Sequence, residues 1–232
     1  MAIESSTPLY FRLVVRLLRP FPDFDFGFIK PVRARAAELL NLHEGHRVLD
    51  VGCGPGGSFP YLRAAVGNTG AVVGVEISPV VAALAQRRIE RHVWSNVQVR
   101  TAPAQTVALA GEFDGLHMFA APDVFASEDA LANLLPHLRV GARIVFFGAK
   151  TSTGRFGWVL NPFLRLAFPK LTFATTPVPN AEPWKPLAPQ LADFTVEELF
   201  FGWMFLASGT FAPASGRAAA GEGNRQTDER SS

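Results

Sequence analysis

From His46 onward the chain alternates short apolar runs with longer stretches whose apolar residues recur at helical spacing. His46–Val51 (HRVLDV) reads as a buried strand, followed by a glycine-rich turn. Pro60–Val66 reads as part of a helix and Ala71–Ile77 (AVVGVEI) as a second strand. Pro79 pre-sets the backbone angle of a first helical turn, which Val80–Arg91 continues. Asn96–Arg100 predicts a third strand and Phe113–Phe119 a fourth. Ser127, with Asp129 soon after, opens a helix that runs to Leu138, and Arg143–Gly148 (RIVFFG) is a fifth apolar strand. Strands alternating with helices imply parallel pairing with both faces of the sheet covered.

After Lys150 the pattern changes. Thr151–Pro189 is rich in Phe, Trp and Pro and has no clean period. Phe194–Phe201 and Trp203–Ser208 then read as two β runs joined at Gly202, an antiparallel hairpin that completes the sheet. The expected fold class is α/β: a single doubly wound, Rossmann-like domain with a mostly parallel seven-stranded sheet and a C-terminal antiparallel hairpin. Residues 31–212 make this domain, with 151–190 inserted as an aromatic, proline-rich lid. Residues 1–30 form an N-terminal amphipathic helix and cap. Residues 213–232 carry no large apolar side chain and read as a disordered tail.

Composition narrows the classes. At 232 residues, 48% hydrophobic and 18% charged, the chain suffices for one sizeable core. A net charge of +2, without a basic cluster, does not support nucleic acid as a partner. The single Cys53 points to a reducing compartment, so the expected location is cytoplasmic. Arg12, Arg16, Arg19, Pro20 and Pro22 interrupt the first apolar stretch, which is therefore not a signal peptide. Phe156–Phe173 is broken by Asn161, Pro162, Arg165, Pro169 and Lys170, and does not read as a membrane span. No metal-ligand pattern is present, and no metal is expected.

The turn after the first strand, Asp50 to Gly57 (DVGCGPGG), carries the chemistry. Gly52, Gly54 and Gly57 meet the GxGxxG spacing of a dinucleotide site, a weak signal alone. Asp50 would repel a pyrophosphate and attract an ammonium. Pro55 removes a backbone N–H that phosphates would need. Glu76 ends the second strand, twenty residues past Gly56, where a carboxylate can accept both ribose hydroxyls of either cofactor.

VLDVGCGPGG (48–57) resembles motif I of the class I S-adenosylmethionine-dependent methyltransferases, and VVGVEISP (72–79) resembles their acidic second motif. FDGLHMF and LLPHLRVGARIVFFGAK are similar to the fourth- and fifth-strand blocks of that family. The resemblance implies S-adenosyl-L-methionine as cofactor. The backbone of Gly52, Gly54 and Gly56 would lie at the methionine end, and Asp50 would hold that end through the ammonium or a water. Glu76 would bind the ribose, and Cys53, Ile77 and Ala102 would border the cofactor. Family members usually have an acid after the third strand for the adenine amino group. Here Thr101-Ala102-Pro103-Ala104 has none, leaving a backbone group or Gln105 for that contact. The usual PGG before the fifth strand is replaced by Val140-Gly141-Ala142.

Methyl transfer from a sulfonium is an in-line displacement with a neutral leaving group, so positioning and desolvation dominate. A base is needed only for a protonated nucleophile. His117 on the fourth strand is the candidate base, with a packed core histidine as the alternative. Asp123 reads as a helix cap or solvated loop acid. His43 and His46 flank the wrong end of the first strand for a ligand. Ala120-Ala121-Pro122-Asp123 lacks the NPPY-type pattern of methyltransferases acting on amides and nucleobase amines.

The flanks bear on the acceptor. Arg12, Arg16 and Arg19 share a helical face, which suits either peripheral contact at the inner membrane surface or a helix capping the core. Phe156, Trp158, Phe163, Phe168, Phe173 and Trp184 either line an apolar pocket or pack the lid. Together with Trp94-Ser95-Asn96-Val97 and Pro183-Trp184, these flanks are loosely similar to small quinone and phosphatidylethanolamine N-methyltransferase-like enzymes. The expected activity is methylation of an apolar or amphiphilic small molecule: a lipid headgroup, quinone or phenolic metabolite. A non-catalytic S-adenosylmethionine-binding regulator and an NAD-type oxidoreductase stand as alternatives.

Overall fold

In the computed structural model, which describes residues 27, 29–152, 161–162 and 181–213, the apolar runs become strands of one seven-stranded sheet. β1 (Arg47–Val51), β2 (Ala71–Glu76), β3 (Val97–Thr101), β4 (Phe113–Phe119) and β5 (Leu138–Ala149) pair in parallel. β6 (Leu191–Leu199) and β7 (Met204–Phe211) form the hairpin, with β7 antiparallel to both β5 and β6. The order is β3-β2-β1-β4-β5-β7-β6. This is the Rossmann-like fold expected from the sequence. The chain winds outward in both directions from β1 and β4. The crevice beyond the carboxyl ends of that pair is the switch point at which open α/β sheets bind ligands.

Successive strand residues feed opposite faces. Val48 and Val72 join Phe59, Leu62 and Ile89 in one core, while Leu49 and Val73 join Leu116, Phe146 and Phe205 in the other. Burial on both faces is why β2 has almost no polar position before Glu76. The helices are α1 (Lys30–Leu39), α2 (Phe59–Val66), α3 (Pro79–Arg91), α4 (Pro122–Phe125) and α5 (Glu128–Leu134). Ser127 caps α5, its Oγ accepting from the Ala130 N–H at 3.3 Å.

Four details differ from the sequence expectation. α1 was not foreseen: it buries only Ala36 and Ala37, small residues that leave a weak apolar stripe. α5 gives way to a 3₁₀ turn over Leu135–His137, where Pro136 cannot donate to a continuing α-helix. β5 starts five residues early, at Leu138, through an irregularity whose exposed Arg139–Gly141 break the apolar pattern. The hairpin turns through Phe200–Trp203 instead of at Gly202 alone. The expected basic helix through Arg19, the tail beyond Pro213 and most of the lid, including Phe156, Trp158, Phe163, Phe168 and Phe173, lie outside the described residues.

Candidate cofactor site

Asp50 and His117 are direct register partners across the β1–β4 junction. His117 Nδ1 lies 2.8 Å from Asp50 Oδ1, with side-chain exposures of 1% and 0%. An ionised carboxylate only accepts, so Nδ1–H is the donor. The second oxygen, Asp50 Oδ2, is buried and has no hydrogen-bond partner among the described residues. Such an orphan is costly unless a ligand or an ordered water donates to it. His117 thus has Nδ1 committed to Asp50, which leaves Nε2 as the ring nitrogen that could meet a substrate.

Glu76 closes the site from β2. Its Oε2 accepts from the Gly54 N–H at 3.1 Å and its Oε1 from the Ser78 N–H at 2.9 Å, tying the glycine loop to the head of α3. Each oxygen keeps a lone pair for a further donor. Burial raises the Glu76 pKa, the N–H groups of Ser78, Gly54 and Ile77 oppose the shift, and the negative charge of Asp50 adds to it. Cys53 is buried in the same loop. Burial, then the charges of Asp50 and Glu76, push its thiol well up, so it is a protonated, inert packing group.

The loop is pinned to β2, with the Gly52 and Cys53 N–H groups both donating to Val75 O, at 2.8 and 3.0 Å. Gly52 has φ +70°, and a Cβ there would lie 2.5 Å from Ala121 Cβ. Gly54 has φ +56°, but a Cβ there would meet nothing within 4 Å. Its surroundings are therefore an open cradle. Gly56 accepts at its carbonyl from Arg88 Nη1 at 2.7 Å.

Ile77 is 54% exposed and lies close in sequence to the similarly exposed Val80, an apolar ledge past Glu76. Ala102 donates its N–H to Glu76 O at 3.1 Å, and Gln105 is exposed. Asp123 sits in the first turn of α4. His43 and His46 are within 5.2 Å of each other just before β1, away from the carboxyl edge. Trp184 packs edge-on against Phe205 at 5.0 Å and so lies against the apolar core. Among the described residues no group of three or more His, Cys, Asp or Glu is placed to hold a metal, and no helix is long and apolar enough to cross a membrane.

Sequence reasoning missed Arg33, Arg88 and Phe119. Arg33 on α1 donates from Nη1 to Ser58 Oγ at 2.9 Å, and its guanidinium lies 4.2 Å from the Phe119 ring centroid. Phe119 also stacks on Phe147 at 4.4 Å. These contacts join distant parts of the chain, and no local pattern announces them.

Two carboxylates beside one loop disfavour a phosphate and favour a cation. The orphan Oδ2, the open Gly54 cradle and the carboxylate at the end of β2 fit S-adenosylmethionine, which has an ammonium at one end and a ribose near the other.

Comparison with known proteins agrees. The family model of protein-L-isoaspartate(D-aspartate) O-methyltransferase (PCMT) matches residues 30–146. Aklanonic acid methyltransferase DauC of Streptomyces sp. (strain C5) is 27% identical over 192 residues, covering 81% of this chain and 79% of that protein. Nocamycin O-methyltransferase of Saccharothrix syringae is 36% identical over 141 residues, covering 58% of this chain and 49% of that protein. The solved structure of an O-methyltransferase family protein from Burkholderia thailandensis superposes with a TM-score of 0.66 at 14% identity, covering 90% of this chain and 64% of that one.

Proposed function

Because the chain belongs to the protein-L-isoaspartate(D-aspartate) O-methyltransferase (PCMT) family of class I S-adenosylmethionine-dependent methyltransferases, we propose that it methylates an oxygen of an apolar or amphiphilic small molecule. The observation that carries this is the reach of the similarity to aklanonic acid methyltransferase, which spans 81% of the chain, whereas the family match ends at residue 146, before the lid and the hairpin. The oxygen is supported by the names of the matched family and of nocamycin O-methyltransferase.

When bound, S-adenosylmethionine supplies a methyl on a sulfonium and departs as a neutral thioether, so the protein need not protonate a leaving group. We assign the methionine ammonium to Asp50 Oδ2 and the ribose to Glu76. Gly52, Gly54 and Gly56 let the loop backbone approach closely, and buried Cys53 fills the space behind it. Ile77 would border the adenine, and backbone near Ala102 would supply its edge contact. We assign residues 151–190 to the acceptor side of a domain running from 31 to 212. Among the described residues we assign no general base. An acceptor that ionises unaided, such as an acidic phenol, a hydroxyquinone or a carboxylic acid, suits that site. An amphiphilic acceptor also gives the basic segment through Arg19 a use at a membrane surface.

The test is transfer of isotope-labelled methyl from S-adenosylmethionine to a panel of phenols, hydroxyquinones, carboxylic acids, ethanolamine lipids and an isoaspartyl peptide. Label on the oxygen of a phenol, hydroxyquinone or acid is expected. Transfer only to the peptide would make the acceptor a protein.

A further inference from the structure

We propose that His117 is a positioning residue and not the base: it fixes the plane of the Asp50 carboxylate so that the oxygen it leaves unbonded is held for the methionine ammonium. This rests on the assignment of the ammonium to Asp50. The terminal torsion of an aspartate is broad, so an isolated carboxylate does not hold one plane. Here the plane is set by one bond. Oδ1 accepts the His117 Nδ1–H at 2.8 Å, and Oδ2 has no partner among the described residues.

The donor is itself held. Asp50 and His117 are paired by the β1–β4 register, so the backbone sets their separation. The His117 ring lies nearly parallel to Phe119, 19° between planes and 5.8 Å between centroids. Phe119 is in turn stacked on Phe147 and faced by the Arg33 guanidinium. Contacts thus run from α1 through Phe119 and His117 to Asp50, at the switch point where a ligand enters. Both side chains are buried, and in such surroundings a charge-assisted hydrogen bond is strong. An imidazole whose Nδ1 is bonded to a carboxylate keeps Nε2 for proton transfer, so the experiment must separate positioning from base catalysis.

The experiment is calorimetric titration of the full chain with S-adenosylhomocysteine and with 5′-methylthioadenosine, which keeps the nucleoside and lacks the amino-acid end. His117→Ala should weaken S-adenosylhomocysteine by about tenfold or more, the size of a lost charge-assisted contact. Its affinity for 5′-methylthioadenosine should not change. His117→Asn, whose amide N–H can replace Nδ1–H, should recover most of the loss and retain turnover. Unchanged S-adenosylhomocysteine affinity in His117→Ala would overturn the proposal, as would an equal loss for both ligands. So would a His117→Asn variant that binds normally and has lost turnover, since that is the signature of a base. If the alanine variant does not fold, the asparagine variant decides alone. A wild-type protein that binds both ligands equally would instead refute the ammonium assignment at Asp50.

Discussion

The carboxyl ends of β1 and β2 and those of β5 and β6 lie along one edge of the same sheet but are built on different terms. At β1 and β2 the left-handed backbone positions are glycines, Gly52, Gly54 and Gly56, where that conformation costs little. The loop N–H groups of Gly52, Cys53 and Gly54 are bonded to β2. At the hairpin, left-handed angles fall on Phe200 and Phe201, with φ of 50° and 59°, and Phe201 is 95% exposed. Backbone bonds of Lys150 N–H to Trp203 O and Trp203 N–H to Phe200 O are joined there by side chains: Ser152 Oγ–H donates to Phe201 O at 3.3 Å, and buried Lys150 Nζ sits 2.7 Å from Glu198 Oε1. The first end is preorganised for a defined ligand. The second keeps strain and exposed aromatic surface beyond the reach of the family match.

The sharpest way to break this contrast is within the glycine loop. Gly52→Val should cost about 3 kcal/mol or more, from backbone strain together with the clash at Ala121. Gly54→Ala should cost only about 1 kcal/mol yet weaken S-adenosylhomocysteine. Urea denaturation and calorimetry of both variants check this, and equal stability losses would mean that Gly54 is not an open cradle. At the hairpin, Glu198→Ala should cost about 2 kcal/mol by stranding the buried Lys150 ammonium, and Lys150→Met should cost less. The reverse order in denaturation would show that the pair is not what holds the turn. Phe201→Asn should stabilise by about 1 kcal/mol, because asparagine tolerates the left-handed region and little packing is lost. A lower melting temperature would mean the phenylalanine is packed.

The smallest effect concerns Glu76. Burial raises its pKa, so the folded chain holds this proton more tightly than the unfolded chain. Its contribution to stability is fully present below the ordinary glutamate value and is lost as pH rises through the raised one. Free-protein stability should therefore decline across that window. S-adenosylhomocysteine affinity should rise across it, because the ribose needs the ionised acceptor. Denaturation and titration along a pH series separate the two slopes, and parallel slopes would remove Glu76 from the ribose.

Local patterns made the cofactor end legible. Asp50 and Glu76 lie within short motifs at the ends of apolar strands, and Phe113–Phe119 and Pro79–Arg91 were bounded by their own residues. What stayed hidden depends on tertiary neighbours. The partner of His117 follows from β4 lying beside β1, which the sequence pattern does not specify. Arg33 and Arg88 reach the loop from helices 25 and 32 residues away. The left-handed phenylalanines were missed because Gly202 offers a cheaper turn, and α1 because alanines carry so little of its buried face.

The most direct test of the cofactor assignment is titration of Asp50→Ala and Glu76→Ala with S-adenosylhomocysteine and 5′-methylthioadenosine. Asp50→Ala should weaken only the first ligand, and Glu76→Ala should weaken both, each by about tenfold or more. A Glu76→Ala variant with unchanged affinity for either nucleoside, or an Asp50→Ala variant that still prefers S-adenosylhomocysteine as the wild type does, would contradict the account.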